Sequence, residues 1–336
     1  VLAFACAFTM FAGAAFTDEA DIKAKDAVNM LTALGVIEGD PDGSFRPDAT
    51  VTRAEMAKMI FVVRNNSIDD SAYANNSSKM TDINSHWAKG YIKFCESQGI
   101  IAGYGDNTFK PDATVTGVEA AKMLLVLTGY DADKAGLTGT QWLNNTVSYA
   151  TTYGLTKDVH SAIAGGCTRQ DAAQILSNTL TEVNAVQWSE VTNSFLNDSE
   201  KGLAWGGDPI TVGEKWMDLR IETGFITAVP SAKVNPKSIS FTYENAKGED
   251  VDVTFRNATA DVADLMGYEV KVVWNDEDVT AADAIYGIYK TANNVSYEAV
   301  WKDIEKDGDK VKFDGKSYKL NGDQITVYAD EDWSAL

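Results

Sequence analysis

At 336 residues, with 49 acidic against 29 basic side chains, the chain carries a formal charge of −20 and has room for two or three domains. That balance disfavours nucleic acid and anionic membrane surfaces as partners, because both are held through basic patches. Only two histidines are present, and there is no G-x-S-x-G, H-E-x-x-H or phosphate-cradling loop, so Ser-His triads and histidine zinc sites have little to build on.

Residues 1–16, VLAFACAFTMFAGAAF, form an uncharged apolar run ending in small residues. The run is shorter than the roughly 20 residues of a membrane-spanning helix, and Ala12-Gly13-Ala14 supplies an A-x-A-like cleavage site. It reads as the back of a secretory signal peptide, so a mature protein without a membrane span is expected. Of the three cysteines, Cys6 lies in this run. Cys95 and Cys167 sit in different repeats (below) and read as buried small hydrophobes rather than a bridge.

An internal repeat follows. Gly39 to Ile60 returns at Gly103 to Leu124 with a constant offset of 64 and 13 of 22 positions identical. Each copy opens on turn residues (Gly39, Asp42, Gly43; Gly103, Gly105, Asp106, Asn107), continues to an apolar anchor, Phe45 or Phe109, and leaves through Pro47 or Pro111. Thr52-Arg53-Ala54-Glu55 and Thr116-Gly117-Val118-Glu119 fit the capping box, with Val51 and Val115 placed for a hydrophobic staple. Met56, Ala57, Ile60 and Phe61 then recur at helical spacing. Ala27 to Leu34 and Tyr91 to Cys95 predict the first helix of each unit, ended by Gly35 and Gly99. Asn65 to Lys79 is polar and predicts a loop. Arg53 stands in the first helical turn, against the dipole, which points to something negative in front of it.

A third, shorter copy aligns Trp142 with Trp87 and Thr168 with Thr116. Thr168-Arg169-Gln170-Asp171 restates the cap, and Ala172, Ala173, Ile175 and Leu176 restate the apolar face. Its loop has shrunk, since Trp87 maps to Trp142 at an offset of 55 but Thr116 to Thr168 at an offset of only 52. One loop spacing resembles an EF-hand, with Glu38, Asp40 and Asp42 at positions one, three and five, but Ala49 stands where a bidentate Glu belongs, so no metal is expected.

With an acidic start, a Trp-Ala step (Thr81-Asp82-Ile83-Asn84-Ser85-His86-Trp87-Ala88), an Asp-Gly-x-Phe-x-Pro loop and a closing Thr-Arg-Ala-Glu, the series resembles the surface-layer homology domain. That resemblance covers about half the chain. It implies an all-α, pseudo-threefold, three-pronged bundle of three repeats, at 17–64, 80–129 and 138–180.

Beyond a linker at 181–207, with Ser189 to Phe195 as a possible helix, two-residue alternation predicts strands over 217–229, 239–243, 251–255, 270–274, 285–289, 311–313, 316–320 and 325–328. Asp314-Gly315 is a favoured hairpin turn, and 259–266 predicts a short helix. Residues 208–336 therefore read as an antiparallel β-rich barrel or sandwich carrying no motif of known chemistry.

The resemblance implies a secreted, non-enzymatic cell-surface protein, in or near a surface layer, that binds a pyruvylated secondary cell-wall polysaccharide and self-associates. No cofactor is implied. A ketal carboxylate is matched by a bidentate guanidinium, and a sugar face by an aromatic wall. Position by position, the glycan-binding candidates are Arg53 and Arg169, Trp87 and Trp142, and Asp42 and Asp106. Gly117 replaces the Arg in the second repeat and Lys23 the Trp in the first, so at most two competent grooves are expected. Trp87 and Trp142 serve equally well as ordinary packing residues. The alternatives are a wall-anchored enzyme, or an adhesin using Trp274, Tyr286 and Tyr289, with the active part in the β-rich region or in a further C-terminal extension.

Overall fold

The computed structural model describes residues 16–199, 208–229, 237–256, 258, 262–282, 284–291, 305–307, 310–313 and 316–319. The apolar run at 1–15 and the expected strand at 325–328 lie outside these residues.

Six helices fill the first half: α1 (Lys25–Ala33), α2 (Arg53–Asn65), α3 (Lys89–Ser97), α4 (Gly117–Thr128), α5 (Trp142–Thr152) and α6 (Arg169–Thr181). The expected capping boxes form: the Thr52 and Thr116 hydroxyls accept from the Glu55 and Glu119 N–H groups, and each Glu reaches back to its Thr. Thr168 caps α6 through the Asp171 N–H. Gly35 and Gly99 follow α1 and α3 with φ of 63° and 69°, the left-handed geometry that ends a helix at low cost.

Each capped helix packs on the first helix of the next unit, α2 on α3 and α4 on α5, and the ring closes with α6 on α1. The residues just before the caps close a second ring. The Val51 N–H donates to the Cys167 carbonyl at 2.9 Å, Cys167 to Val115 at 2.8 Å, and Val115 back to Val51 at 2.9 Å. Helix N-termini leave N–H groups without intrahelical partners, and here each finds its acceptor on a neighbouring loop. Arg53 donates to Ala113 at 2.9 Å, Gly117 to Gly165 at 3.1 Å and Arg169 to Ala49 at 2.8 Å. Phe45, Phe109, Val51 and Val115 are all at most 1% exposed in the shared core. Cys95 and Cys167 are buried and unbridged.

The second half holds β1 (Val186–Ser189), β2 (Ser194–Asn197), a short helix α7 (Val212–Met217), β3 (Leu219–Ala228), β4 (Ile239–Glu244), β5 (Asp250–Phe255), β6 (Glu269–Asn275), β7 (Ile285–Lys290), β8 (Glu305–Asp307), β9 (Lys310–Phe313) and β10 (Lys316–Lys319). Ser189 to Phe195 is thus not a helix: β1 and β2 pair antiparallel, with Trp188 opposite Phe195. The cause is tertiary, because Phe195 packs edge-to-face against Tyr130 and Trp188, with ring centroids 4.7 Å and 4.9 Å apart. A single 3₁₀ turn, Ala263–Leu265, stands in the region of the expected short helix. Expected as a barrel or sandwich, the main sheet is instead an open antiparallel one in the order β5-β4-β3-β6-β7, and β8, β9 and β10 form a separate three-stranded sheet. Closure is unnecessary because both faces of β6 and β7 are covered. Val270, Val272, Ile285 and Ile288 join the sheet's own core, while Val273 and Tyr289 join the helical core.

Candidate functional site

The loop of the second repeat, α4 and the start of α5 enclose an open cleft of about 300 Å³. Its lining brings together Arg53 from the α2 N-terminus, Tyr104, Glu119, Lys122, Thr138 and Trp142. These come from α2, α4 with the loop before it, and the start of α5, so the cleft exists only because the α2 N-terminus docks on that loop.

Arg53 is 4% exposed. Its Nε donates to the Phe109 carbonyl at 2.8 Å, Nη2 to the Ala102 carbonyl at 3.3 Å and Nη1 to Glu119 Oε1 at 3.1 Å. The guanidinium carbon lies 4.5 Å from the Phe109 ring centroid and 5.0 Å from that of Tyr104. A cation set against its own helix dipole is therefore answered first by two carbonyls and a carboxylate of the protein. Lys122 Nζ lies 5.4 Å from the Trp142 ring centroid. Burial chiefly, and then the Arg53 charge, lower the Lys122 pKa. Two cations against one carboxylate make this wall locally positive on a chain of charge −20.

Arg169 repeats the arrangement on the first loop. Its Nε donates to the Phe45 carbonyl at 2.7 Å and Nη2 to the Glu38 carbonyl at 2.8 Å, with the guanidinium 4.8 Å from the Phe45 ring centroid. Trp87 stands 57% exposed, with its ring edge-on to Tyr91. At Gly117 the position is closed, because an added Cβ would lie 2.8 Å from both the Cα and the carbonyl oxygen of Ile163.

Asp42 and Asp106 shape their loops from within. The Asp42 carboxylate accepts from the Ser44 N–H at 3.0 Å and hydroxyl at 2.6 Å, and Asp106 accepts from the Thr108 N–H at 3.1 Å and hydroxyl at 2.6 Å. The bonds from Ser44, helped by Arg46, hold the Asp42 carboxyl at about 2. Two further carboxylates fasten the loops to the start of each unit. Asp18 accepts from the N–H groups of Phe45 and Arg46, and Asp82 from those of Phe109 and Lys110. Burial pushes both carboxyls up, but these bonds outweigh it and leave both below the usual range. The acidic start of the repeat was the only signal for this clamp, and Tyr104 and Lys122 had none, since their roles depend on a neighbouring unit.

Among the described residues no group of three or more His, Cys, Asp or Glu is placed to hold a metal ion, and no helix is long and apolar enough to cross a membrane.

Comparison with known proteins adds family context. A family model for the S-layer homology domain matches residues 15–57 and 79–121. The chain is similar to a surface layer protein of Brevibacillus choshinensis, 29% identical over 345 residues, covering 92% of this chain and 29% of that protein. It is 31% identical over 286 residues to the middle cell wall protein of Brevibacillus brevis, covering 79% of this chain and 26% of the relative. It is also 43% identical over 90 residues to cell surface glycoprotein 1 of Acetivibrio thermocellus, covering 26% of this chain and 4% of that protein. The chain thus spans less than a third of the length of these relatives. Motifs, capped-helix geometry and family match converge: this is an S-layer homology domain protein, secreted to the cell surface.

Proposed function

We propose that residues 17–180 anchor the protein non-covalently to the bacterial cell wall by binding a secondary cell-wall polysaccharide, and that the sheet region is displayed from that anchor without enzymatic activity. The repeats at 17–64, 80–129 and 138–180 act as three copies about a pseudo-threefold axis. The cyclic Val51, Cys167 and Val115 hydrogen bonds support that arrangement. One observation carries the ligand reading: a locally positive, aromatic-walled cleft holding Arg53, Lys122, Tyr104 and Trp142 on a strongly acidic protein. A pyruvylated sugar fits it, with its carboxylate toward the two cations and its ring against Trp142. Arg169 would serve the same purpose at the first loop. The closed Gly117 position supports at most two such grooves. Asp42 and Asp106 contribute by holding the loop shape, and Trp87 by offering an exposed ring. Self-association in a surface layer is in keeping with the relatives named surface layer protein and middle cell wall protein.

The test is pelleting of the full chain with purified wall sacculi. Trp142→Ala and Lys122→Ala remove groups that line the cleft without bonding the loop. Each should weaken pelleting while leaving the melting temperature within a few degrees. Pelleting at the unmodified level in both variants would refute the assignment of this cleft.

A further inference from the structure

Residues 135–156, which include all of α5, carry no charged side chain, although 23% of the chain is charged and a stretch of that length would average about five. On one side of α5, Trp142, Asn145, Tyr149 and Thr152 follow one another at helical spacing. They span about 15 Å at a rise of about 1.5 Å per residue. Asn144, Ser148 and Thr151 stand exposed beside them. The stripe begins in the cleft already described, because Trp142 is both the first residue of α5 and the aromatic wall near Lys122.

It ends at Tyr153, which supplies the second observation. Tyr153 is 45% exposed, yet its ring is packed in place, with its centroid 5.7 Å from that of Tyr130 and 5.8 Å from that of Tyr149. A surface side chain gains little from being held still, whereas an immobilised ring takes up a ligand without losing rotamer freedom. Gln141 and Asn144 are pre-set in the same way. The Asn144 Nδ2 donates to Gln141 Oε1 at 3.0 Å, which leaves the Asn144 oxygen to accept and the Gln141 nitrogen to donate elsewhere.

The chemistry of the strip selects its occupant. Amides and hydroxyls both donate and accept, as sugar hydroxyls do, and aromatic rings offer an apolar face to a sugar ring. With no carboxylate in the strip, an anionic polymer can lie along it without the repulsion it meets elsewhere on a chain of charge −20. We propose that this uncharged side of α5 carries the neutral sugars that follow the pyruvylated one, extending the Arg53 cleft as far as Tyr153. The proposal rests on the polysaccharide reading of that cleft.

The experiment is calorimetric titration of the full chain with two fragments of purified wall polysaccharide that keep the pyruvylated end, one of a single sugar and one of four. The longer fragment should bind about ten-fold more tightly, as one ring contact and one or two hydrogen bonds imply. Tyr153→Ala removes the ring, and Ser148→Glu sets a carboxylate beside the stripe. In each variant the ratio of the two affinities should fall to about two. Melting temperatures and sedimentation velocity check that both variants fold and keep the parent's oligomeric state. Equal affinity of the parent for the two fragments, or an undiminished ratio in either variant, overturns the proposal and leaves the cleft reading standing. A changed oligomeric state with the ratio undiminished assigns the strip to contacts between copies and overturns it as well. If neither fragment binds, the cleft reading has failed and the extension falls with it.

Discussion

Replacing Arg53 with alanine should cost the helical half far more than a surface arginine would. In the native protein the guanidinium makes three hydrogen bonds, two to loop carbonyls and one to Glu119, and it is 4% exposed. Removing one partner of a buried charge pair costs about 3–5 kcal/mol, and each bond to a charged group is worth about 1.5–3 kcal/mol. The Glu119 side chain is 23% exposed and regains water once the pair is broken, so the lower end, about 3 kcal/mol, is expected. For a unit of this size that lowers the melting temperature by about 6–12 °C, read by far-UV circular dichroism on the full chain. Arg53→Lys keeps the charge but loses the planar fork, and should fall between. A shift below about 2 °C for Arg53→Ala would mean that the guanidinium does not tie α2 to the second loop. The consequence for function is practical: wall binding lost in Arg53→Ala mixes ligand contact with a loosened fold, whereas Trp142→Ala does not.

Gly117→Ala sets helix propensity, about 1 kcal/mol in favour of Ala, against a Cβ at 2.8 Å from the Ile163 backbone. Overpacking of that kind costs about 1–3 kcal/mol, so a lower melting temperature is expected and a higher one would refute the closure of the Gly117 position. Asp18, Asp42 and Asp82 all have depressed folded-state pKa values. Their contribution is present above the ordinary Asp value of 3.8 and is lost as pH falls below it, for Asp42 toward about 2. Melting temperature against pH should therefore drop through that window, less steeply in Asp18→Asn/Asp82→Asn, and an identical slope would count against the loop clamps. Burial pushes the Cys95 thiol up and the Cys167 thiol up to about 12. Neither should react with Ellman's reagent at pH 8 until the protein is unfolded, and rapid native labelling would contradict their burial.

The repeat was legible because its signals are local. A capping box spans four residues, and a loop-Phe-Pro sequence a few more, so the 64-residue offset exposed both without any knowledge of packing. What Arg53 faces was not legible, because Phe109 lies 56 residues away and meets it only through docking of the next unit. Ser189 to Phe195 reads locally as a helix yet pairs as two strands, because that pairing is fixed by Tyr130, far away in the chain. The reverse holds at Thr211-Val212-Gly213-Glu214, a complete capping box that starts α7 immediately before a strand. The domain boundary was blurred for a similar reason: Val183, Val186, Val212 and Met217, expected at or beyond a linker, are buried in the helical core.

In the proposed function the helical repeats hold the cell-wall polysaccharide through its acidic sugar. Pelleting of the full chain with intact sacculi, with sacculi stripped of acid-labile polysaccharide, and with polysaccharide lacking its pyruvate tests this most directly. Binding to the first and loss on the other two is the expected result. Equal pelleting with stripped peptidoglycan, or none with intact walls, would contradict it.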